Sequence, residues 1–388
     1  MDGRTGRDEP DAGRGTPAVV VDVDGLDRMI RGLARAGYRV VGPVARDGAV
    51  VLDDVDGVAD LPAGVGDEQD AGRYRLTGVA GGALFAHTVG PHSARRFLSP
   101  PRRTLWSAAR DGDGFTVDGP AADDPPVALV GVRGCDLAAI AVQDRVRQRS
   151  PHPDPACASA RARAFVVAVD CARPASTCFC TSTGTGPAAG PGHDLALTEL
   201  TDAHGHRFVV RVGSDRGAAA LAGVPWRPAT AADLDAAARV VGDAAGRITR
   251  RLDPARARDV LAAAPEHPHW DDVARRCLSC ANCTLVCPTC FCTAVEDVTD
   301  LAGGHASRVE RWDSCFTLDH SYLHGGAVRG STRSRYRQWL THKLSTWWDQ
   351  FGETGCVGCG RCIAWCPAGI DLVAEVAAIA GAPGESGP

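Results

Sequence analysis

A cysteine spacing that occurs twice most strongly constrains how this chain of 388 residues can fold. Each run reads Cys-x-x-Cys-x-x-Cys-x-x-x-Cys-Pro, and the two runs consist of Cys277, Cys280, Cys283 and Cys287, and of Cys356, Cys359, Cys362 and Cys366. This is the spacing of bacterial ferredoxin loops that bind [4Fe–4S] clusters. A curled loop lets the first three cysteines reach three corners of one cluster, and the fourth points away from it. The two runs therefore predict two [4Fe–4S] clusters.

In proteins with two such clusters, the fourth cysteine of each run binds the cluster of the other run. The expected ligands are Cys277, Cys280, Cys283 and Cys366 for cluster 1, and Cys356, Cys359, Cys362 and Cys287 for cluster 2. The free energy of metal binding contributes directly to folding in sites of this kind. We therefore expect the loss of either cluster to unfold both halves of the site.

Zinc is the alternative metal for closely spaced cysteines. Structural zinc sites use two CxxC pairs to complete a closed shell of four sulfurs. Two identical runs of four cysteines would leave the CxxCxxC spacing unexplained, so we favour iron–sulfur clusters. A zinc-stabilised scaffold without redox activity remains the alternative from another functional class, and analysis of iron and acid-labile sulfide distinguishes the two.

A second group of cysteines lies in the first half of the chain. Cys135 and Cys171 follow apolar runs at 126–132 and 165–170, which with the helical stretch between them predict a βαβ unit with parallel strands. Open α/β sheets bind ligands at the carboxyl ends of such strands. Cys178 and Cys180 follow in a loop that can fold back over this edge. We expect a third [4Fe–4S] cluster there; buried free thiols and a redox-active dithiol pair are the alternatives.

The remaining cysteines have no complete ligand set. Cys290, Cys292 and Cys315 lie near the first run without an evident fourth ligand, so we interpret them as packing residues beside the clusters, and Cys157 as incidental. Basic residues also lie between the two runs, namely Arg329, Arg333, Arg335, Arg337, His342 and Lys343. They either offset the negative charge of the clusters, dock an acidic partner or form a solvated helix face.

The apolar pattern divides the chain near residue 230. Short apolar runs at 18–23, 38–44, 48–52 and 81–89 predict strands, whereas the residues beyond 228, including the segment between the two cysteine runs, have a helical pattern. The predicted fold class is α+β or α/β, with an N-terminal α/β domain of parallel strands followed by a mainly helical two-cluster domain. The predicted divisions are a flexible tail (1–16), the α/β domain (17–230), the dicluster domain (231–380) and a second tail (381–388).

Charge and apolar patterning narrow the functional class. The chain has 42 Lys and Arg residues against 47 Asp and Glu, so no basic field favours nucleic acid as a partner. The sequence contains no apolar stretch of spanning length and no secretory signal, so we expect no membrane span and a cytoplasmic location. No motif for bond chemistry stands out. These observations predict a non-catalytic relay of single electrons within an oxidoreductase complex.

Several segments together resemble one known family. They are GVRGCDLAAIAVQDRV, VAVDCARPASTCFCTSTGTGP, the two cysteine runs, RWDSCFTLDHSYLHGG and HKLSTWWDQFG. They are similar to the 4Fe–4S dicluster subunits typified by the β subunit of cytoplasmic NAD(P)-linked [NiFe] hydrogenases, the sulfhydrogenases. The corresponding electron-transfer subunit of anaerobic sulfite reductase is closely similar and is the alternative. The resemblance implies an α-helical ferredoxin-like domain.

The resemblance also implies a role and partners. In this family the subunit transfers electrons between a diaphorase subunit, which carries a flavin and binds NAD(P), and the small subunit of the hydrogenase, which is bound to the large subunit. The eight cysteines of the two runs match the cluster ligands of the family, and the segments around Cys135, Cys171, Cys178 and Cys180 also match. We therefore expect a hydrogenase electron-transfer subunit with two [4Fe–4S] clusters and a candidate third.

Overall fold

The computed structural model describes residues 18–119 and 125–381. Apart from Gly381, the predicted tails at 1–16 and 381–388 lie outside the described residues. The strands are β1 (Val19–Asp22), β2 (Arg39–Arg46), β3 (Ala49–Asp54), β4 (Val65–Asp70), β5 (Arg73–Gly78), β6 (Arg102–Asp111), β7 (Gly114–Asp118), β8 (Val127–Val132), β9 (Phe165–Val169), β10 (Leu195–Asp202), β11 (Gly205–Val212), β12 (Arg227–Pro228), β13 (Thr293–Thr299), β14 (His305–Trp312), β15 (Tyr322–Leu323) and β16 (Gly326–Ala327).

Helices surround these strands and dominate the second half of the chain. They are α1 (Val23–Arg35), α2 (Arg95–Leu98), α3 (Gly134–Gln148), α4 (Pro155–Arg163), α5 (Asp215–Ala220), α6 (Ala231–Arg247), α7 (Pro254–Ala263), α8 (His269–Arg276), α9 (Asn282–Leu285), α10 (Thr332–Thr341), α11 (Trp347–Phe351), α12 (Arg361–Ala364) and α13 (Leu372–Ile379), with a turn of π-helix (His342–Thr346) between α10 and α11. Within the described residues, no helix combines the length and the apolar character that crossing a membrane requires.

The largest sheet is mixed, with the strand order β12-β1-β11-β10-β9-β8-β2-β3. Strands β2, β8, β9 and β10 are parallel neighbours, and the outer strands pair antiparallel. Every residue of β9 is buried, as expected for a central strand with both faces covered. The βαβ unit predicted from the sequence is confirmed, since β8 and β9 pair in parallel. The connection between them contains two helices, α3 and α4, where the sequence indicated one.

The predicted strand at 81–89 is wrong. This segment is a loop whose backbone binds a side chain in place of a neighbouring strand: the amides of Leu84 and Phe85 donate to the carboxylate of Glu199 at 2.6 and 2.9 Å. Gly81 and Gly82 at its start have φ values of 92° and 67°, outside the range of a strand. The apolar residues that suggested a strand are buried beneath the main sheet, and burial alone does not distinguish a strand from a packed loop.

The segment between the cysteine runs is only partly helical, which corrects the sequence prediction. Strands β13 and β14 form a hairpin there, and β14 pairs with β6 in a sheet with the order β13-β14-β6-β7. Strands from both sides of residue 230 therefore share one sheet. The apolar pattern did not predict this hairpin because much of the sheet is exposed, including every residue of β7 and most of β13.

The helices that follow residue 230 form a hydrophobic core of their own. Trp270 of α8, Leu340 of α10 and Leu344 of the π-helical turn are all fully buried in it. Trp347 of α11 is also buried. Asp253 caps α7 through the amides of Ala255 and Arg256. Cysteines of both runs pack against this core, so the helices hold the loops that carry them.

Candidate iron–sulfur centres

The structure brings together the four cysteines expected at cluster 1. Cys277, Cys280, Cys283 and Cys366 line one cavity, and we call this group the first centre. The apolar side chains of Phe316, Tyr336, Trp339 and Ile370 form much of the remaining wall. A cavity with thiols from both runs on an apolar lining fits a cubane cluster, whose ligands are thiolates and whose surroundings limit solvent access. Ligation by these four residues remains a prediction.

Both cysteine runs fold into the same tight loop. In the first run, Ser279 and Ala281 have φ values of 50° and 65°; in the second, Gly358 and Gly360, at equivalent positions, have 61° and 75°. The loop points backbone amides at sulfur: Ser279 donates to Cys277 Sγ and Gly358 donates to Cys356 Sγ, each at 3.4 Å. Hydrogen bonds of this kind favour the anionic thiolate and raise the reduction potential of a bound cluster.

The second centre consists of Cys356, Cys359, Cys362 and Cys287. Burial, together with the charges of Cys359 and Cys287, raises the pKa of the Cys356 thiol to about 12, although Lys343 opposes this rise. The pKa of Cys362 is also raised by burial first and then by Cys356 and Cys287. Because burial and neighbouring sulfurs oppose the ionisation of Cys356 and Cys362, these thiols need nearby positive charge to become thiolates, and iron would supply it. The donor set therefore fits a cluster, with the cross-over of Cys287 that the spacing predicts.

A buried cation lies beside the second centre. The ammonium of Lys343 lies 3.3 Å from Cys287 Sγ, 3.7 Å from Cys290 Sγ and 3.1 Å from Thr289 Oγ1. A hydrogen bond from Cys290 and the charge of Lys343 hold the pKa of Cys287 well below its usual range, although burial opposes this. Burial lowers the pKa of Lys343, but the surrounding sulfurs raise it by more. An ammonium in this position would neutralise part of the negative charge of a cluster bound there.

The third centre lies at the carboxyl edge of the parallel strands, where the sequence predicted it. Cys135, Cys171, Cys178 and Cys180 line one cavity. Cys135 lies in the first turn of α3 immediately beyond β8, and Cys171 follows β9. Burial, followed by the charge of Cys171, raises the pKa of the Cys180 thiol to about 12. The four cysteines converge on a space that fits a cluster, and occupancy by one remains a prediction.

The loop of the third centre packs directly on the second cysteine run. The amide of Phe179 donates to the carbonyl oxygen of Gly358 at 2.8 Å. A Cβ atom on Gly358 would lie 2.6 Å from the amide nitrogen of Cys180, and one on Gly360 would lie 2.5 Å from the carbonyl oxygen of Thr177. Only glycine fits at these two positions. Sequence reasoning missed this contact, and its one available signal was the glycine pair in the segment CVGCGRC.

The four remaining cysteines do not line the cavity of the first or the third centre. Cys290 contacts Cys287 and Lys343 beside the second centre. The amide of Asp313 donates to the carbonyl oxygen of Cys292 at 2.9 Å, which brings the segment of Cys315 next to Cys292. Cys157 lies apart, with its thiol 3.2 Å from Asp154. No three His, Cys, Asp or Glu side chains in the described ranges come close enough to share a single metal ion.

The basic residues between the two runs have different environments. Arg333 and Arg337 form ion pairs with exposed Glu266 at 2.9 Å, as residues of a solvated helix face do. Lys343 instead reaches the second centre. Sequence reasoning also missed Arg361, whose guanidinium is buried between the second and third centres, because nothing in its local pattern marks an arginine as buried.

Comparison with known proteins agrees with this geometry. Residues 276–370 match the family model of the 4Fe-4S dicluster domain. The chain is 31% identical to sulfhydrogenase 2 subunit beta of Pyrococcus furiosus over 342 residues, which cover 86% of this chain and 90% of that protein. No solved structure gives a significant match. The family resemblance inferred from the sequence segments is confirmed, and the chain belongs to the iron–sulfur family of the sulfhydrogenase β subunits.

Proposed function

We propose that this chain is the electron-transfer subunit of a cytoplasmic complex, and that it carries single electrons between the small subunit of a [NiFe] hydrogenase and a flavin-bearing subunit that binds NAD(P). The observation that carries the proposal is the arrangement of the three centres in a row. Cys362 of the second centre also lines the cavity of the first, and Cys359 of the second centre also lines the cavity of the third.

A row of adjacent centres is what a relay requires. A bound [4Fe–4S] cluster accepts and releases one electron at a potential set by charge, hydrogen bonds to sulfur and solvent exposure. The protein's own residues supply those conditions: the loop amides donate to Cys277 and Cys356, Lys343 adds positive charge at the second centre, and apolar side chains line the first. The second centre lies in the middle, so electrons that cross the chain pass through it.

The first centre is the end that opens to the surface. Among the sixteen cysteines, all within the described residues, Cys280 alone is exposed. Next to it, Leu278 is 67% exposed and Leu285 is 43% exposed. An exposed ligand with an apolar surround suits exchange of electrons with a partner subunit, because a partner that covers it brings its own redox centre close. We assign the first centre as one terminus of the relay and the third centre as the other.

The sequence motifs alone do not decide between a hydrogenase and an anaerobic sulfite reductase as the terminal enzyme. The similarity to a sulfhydrogenase subunit over most of both chains favours the hydrogenase. Anaerobic purification from the native cell, followed by identification of the bound subunits, tests this choice. Co-purification of [NiFe] hydrogenase and flavoprotein subunits is expected, whereas a sirohaem-containing partner would support the sulfite reductase.

The relay itself is tested on the anaerobically purified chain by iron and sulfide analysis and by electron paramagnetic resonance. Three clusters correspond to about 12 iron atoms with equal acid-labile sulfide. Cys366→Ala should perturb the cluster held by Cys277, Cys280 and Cys283, and Cys157→Ser, a buried cysteine outside all three centres, should leave every signal unchanged. Damage confined to the centre of Cys356, Cys359 and Cys362 would contradict the cross-ligation, and zinc without sulfide would reject the relay.

A further inference from the structure

The only lysine of this chain is buried at the second centre. All other positive side chains with permanent charge are arginines, and most of those in the described residues lie at the surface or in ion pairs. Lys343 is 6% exposed, and its ammonium contacts Cys287 Sγ, Cys290 Sγ, Thr289 Oγ1 and, at 3.5 Å, the carbonyl oxygen of Gly355. A compact ammonium fits between these atoms where a planar guanidinium would not present its charge to one point.

No carboxylate in the described ranges pairs with Lys343. Two arginines are also buried near this centre. Asp136 balances the charge of Arg361, and Arg95 donates to the carbonyl oxygen of Cys287 at 3.0 Å. Lys343 is therefore the one of the three whose charged group lies against the sulfurs themselves. Burying an ammonium without a counter-ion is unfavourable unless a negative group lies nearby. The anionic group that this site offers is the cysteine set of the second centre together with the cluster it would bind.

The backbone of Lys343 is also tied to the second run. It lies in the π-helical turn between α10 and α11, and its carbonyl oxygen accepts from the amide of Gly355 at 2.8 Å, next to Cys356. Single π-helical turns occur often at functional sites because they turn one side chain out of the regular helical register. Both ends of Lys343 are thereby held against the second centre, the side chain at Cys287 and the main chain beside Cys356.

We propose that Lys343 sets the reduction potential of the second centre, the middle station of the proposed relay. The inference rests on the proposed function, since it requires a cluster at this centre. Reduction adds one electron, and therefore one negative charge, to the bound cluster. The ammonium of Lys343, 3.3 Å from Cys287 Sγ, would stabilise that added charge more than it stabilises the oxidised state. The centre is thus easier to reduce than it would be without the lysine.

The test is a redox titration of the anaerobically purified protein, followed by electron paramagnetic resonance. The signal of the second centre is assigned as the one that Cys287→Ser shifts, because the serine oxygen can replace the thiolate and the cluster is retained. Lys343→Gln keeps a hydrogen-bond donor but removes the charge, and its second-centre potential is expected to be more negative than that of the native protein, with the other two potentials unchanged. Lys343→Arg, which keeps the charge, should lie nearer to the native value.

Arg337→Gln is the matched control, because it removes a positive charge from the adjacent helix α10 at an exposed ion pair. No potential should change in this variant. A Lys343→Gln protein with native iron content and an unchanged second-centre potential would overturn the inference. A native protein without iron–sulfur signals would instead reject the proposed function, so the two failures are distinguishable.

A second pair of variants decides the matter if Lys343→Gln does not assemble the second centre. Thr289 is 1% exposed and receives a hydrogen bond from Lys343. Thr289→Asp places a carboxylate against the ammonium and cancels its charge, whereas Thr289→Asn has nearly the same shape without the charge. The Asp variant is expected to have the more negative second-centre potential, and equal potentials in the two variants would contradict the role of Lys343.

Discussion

Asp136 and Arg361 form a buried ion pair between the second and third centres. Two parallel hydrogen bonds join them, from Nη1 to Oδ1 at 2.8 Å and from Nη2 to Oδ2 at 2.9 Å. Asp136 follows Cys135 of the third centre, and Arg361 lies between Cys359 and Cys362 of the second. The same guanidinium donates to the carbonyl oxygens of Gly90 and His92. One arginine thus fixes the α/β part and the second cysteine run in a single arrangement.

Removal of the carboxylate from this pair should destabilise the protein strongly. Burial lowers the pKa of Arg361, but Asp136 raises it by more, so the guanidinium stays charged. Asp136→Asn leaves that charge buried and unpaired, which costs about 3–5 kcal/mol in comparable cases. Denaturant unfolding of the anaerobic protein measures the loss. Asp297→Asn, which breaks the exposed pair with Arg308, is the control and should leave the unfolding midpoint nearly unchanged.

Gly358→Ala should displace the loop of the third centre. The added Cβ would lie 2.6 Å from the amide nitrogen of Cys180, and the backbone cannot relax easily because φ is 61°. We expect the loss of about four iron atoms, those of the third cluster, with the first centre retained. Gly352→Ala is a matched control, since φ is 71° there but no atom lies within 4 Å of the added Cβ. Equal iron content in the two variants would contradict the predicted role of this contact.

The stability of the protein should fall in mild acid because of His87. Burial, followed by the nearby charge of Arg133, lowers the pKa of His87 from 6.5 to about 3. Between these two values the unfolded chain binds a proton that the folded chain does not, so the free energy of unfolding decreases as the pH falls below 6.5. The slope from this group is about 1.4 kcal/mol per pH unit. His87→Leu should remove that part of the slope, as measured by denaturant unfolding between pH 6.5 and 5.5, where an unaltered slope would count against it.

A charge at the exposed end of the relay should impair electron exchange with the partner. Leu285 is 43% exposed on the same surface as Cys280 and does not line the first cavity, so Leu285→Glu disturbs the docking surface without entering the site of the first cluster. We expect at least about a tenfold decrease in the rate of electron transfer to the partner subunits, the size of a typical interface effect. Iron content and dithionite reduction should stay native. Leu301→Glu, at a fully exposed position on the β13–β14 hairpin, is the control, and an equal decrease there would argue against the assigned surface.

Some elements of the fold were predictable from local pattern and others were not. The parallel pair of β8 and β9 was predictable, because both strands are short apolar runs with a helix-forming stretch between them. The loop at 81–89 has equally apolar residues, but a carboxylate distant in sequence, Glu199, takes the place of a neighbouring strand. The hairpin of β13 and β14 lies at the surface and therefore carries no strong apolar alternation. The local pattern of apolar residues indicates which residues are buried. It does not indicate which distant group forms hydrogen bonds with their backbone amides.

The spacing of the cysteines determined the ligand sets expected at the first two centres, because the covalent length between ligands limits which corners of a cluster a loop can reach. The family followed from the same segments. The tertiary structure alone decided that the third group of cysteines lies against Gly358 and that cysteines of the second centre line the cavities of the other two. It also decided that Lys343 is buried while Arg337 on the adjacent helix is at the surface. Those outcomes depend on contacts between residues far apart in the chain, and the burial of a charge is set by what packs over it.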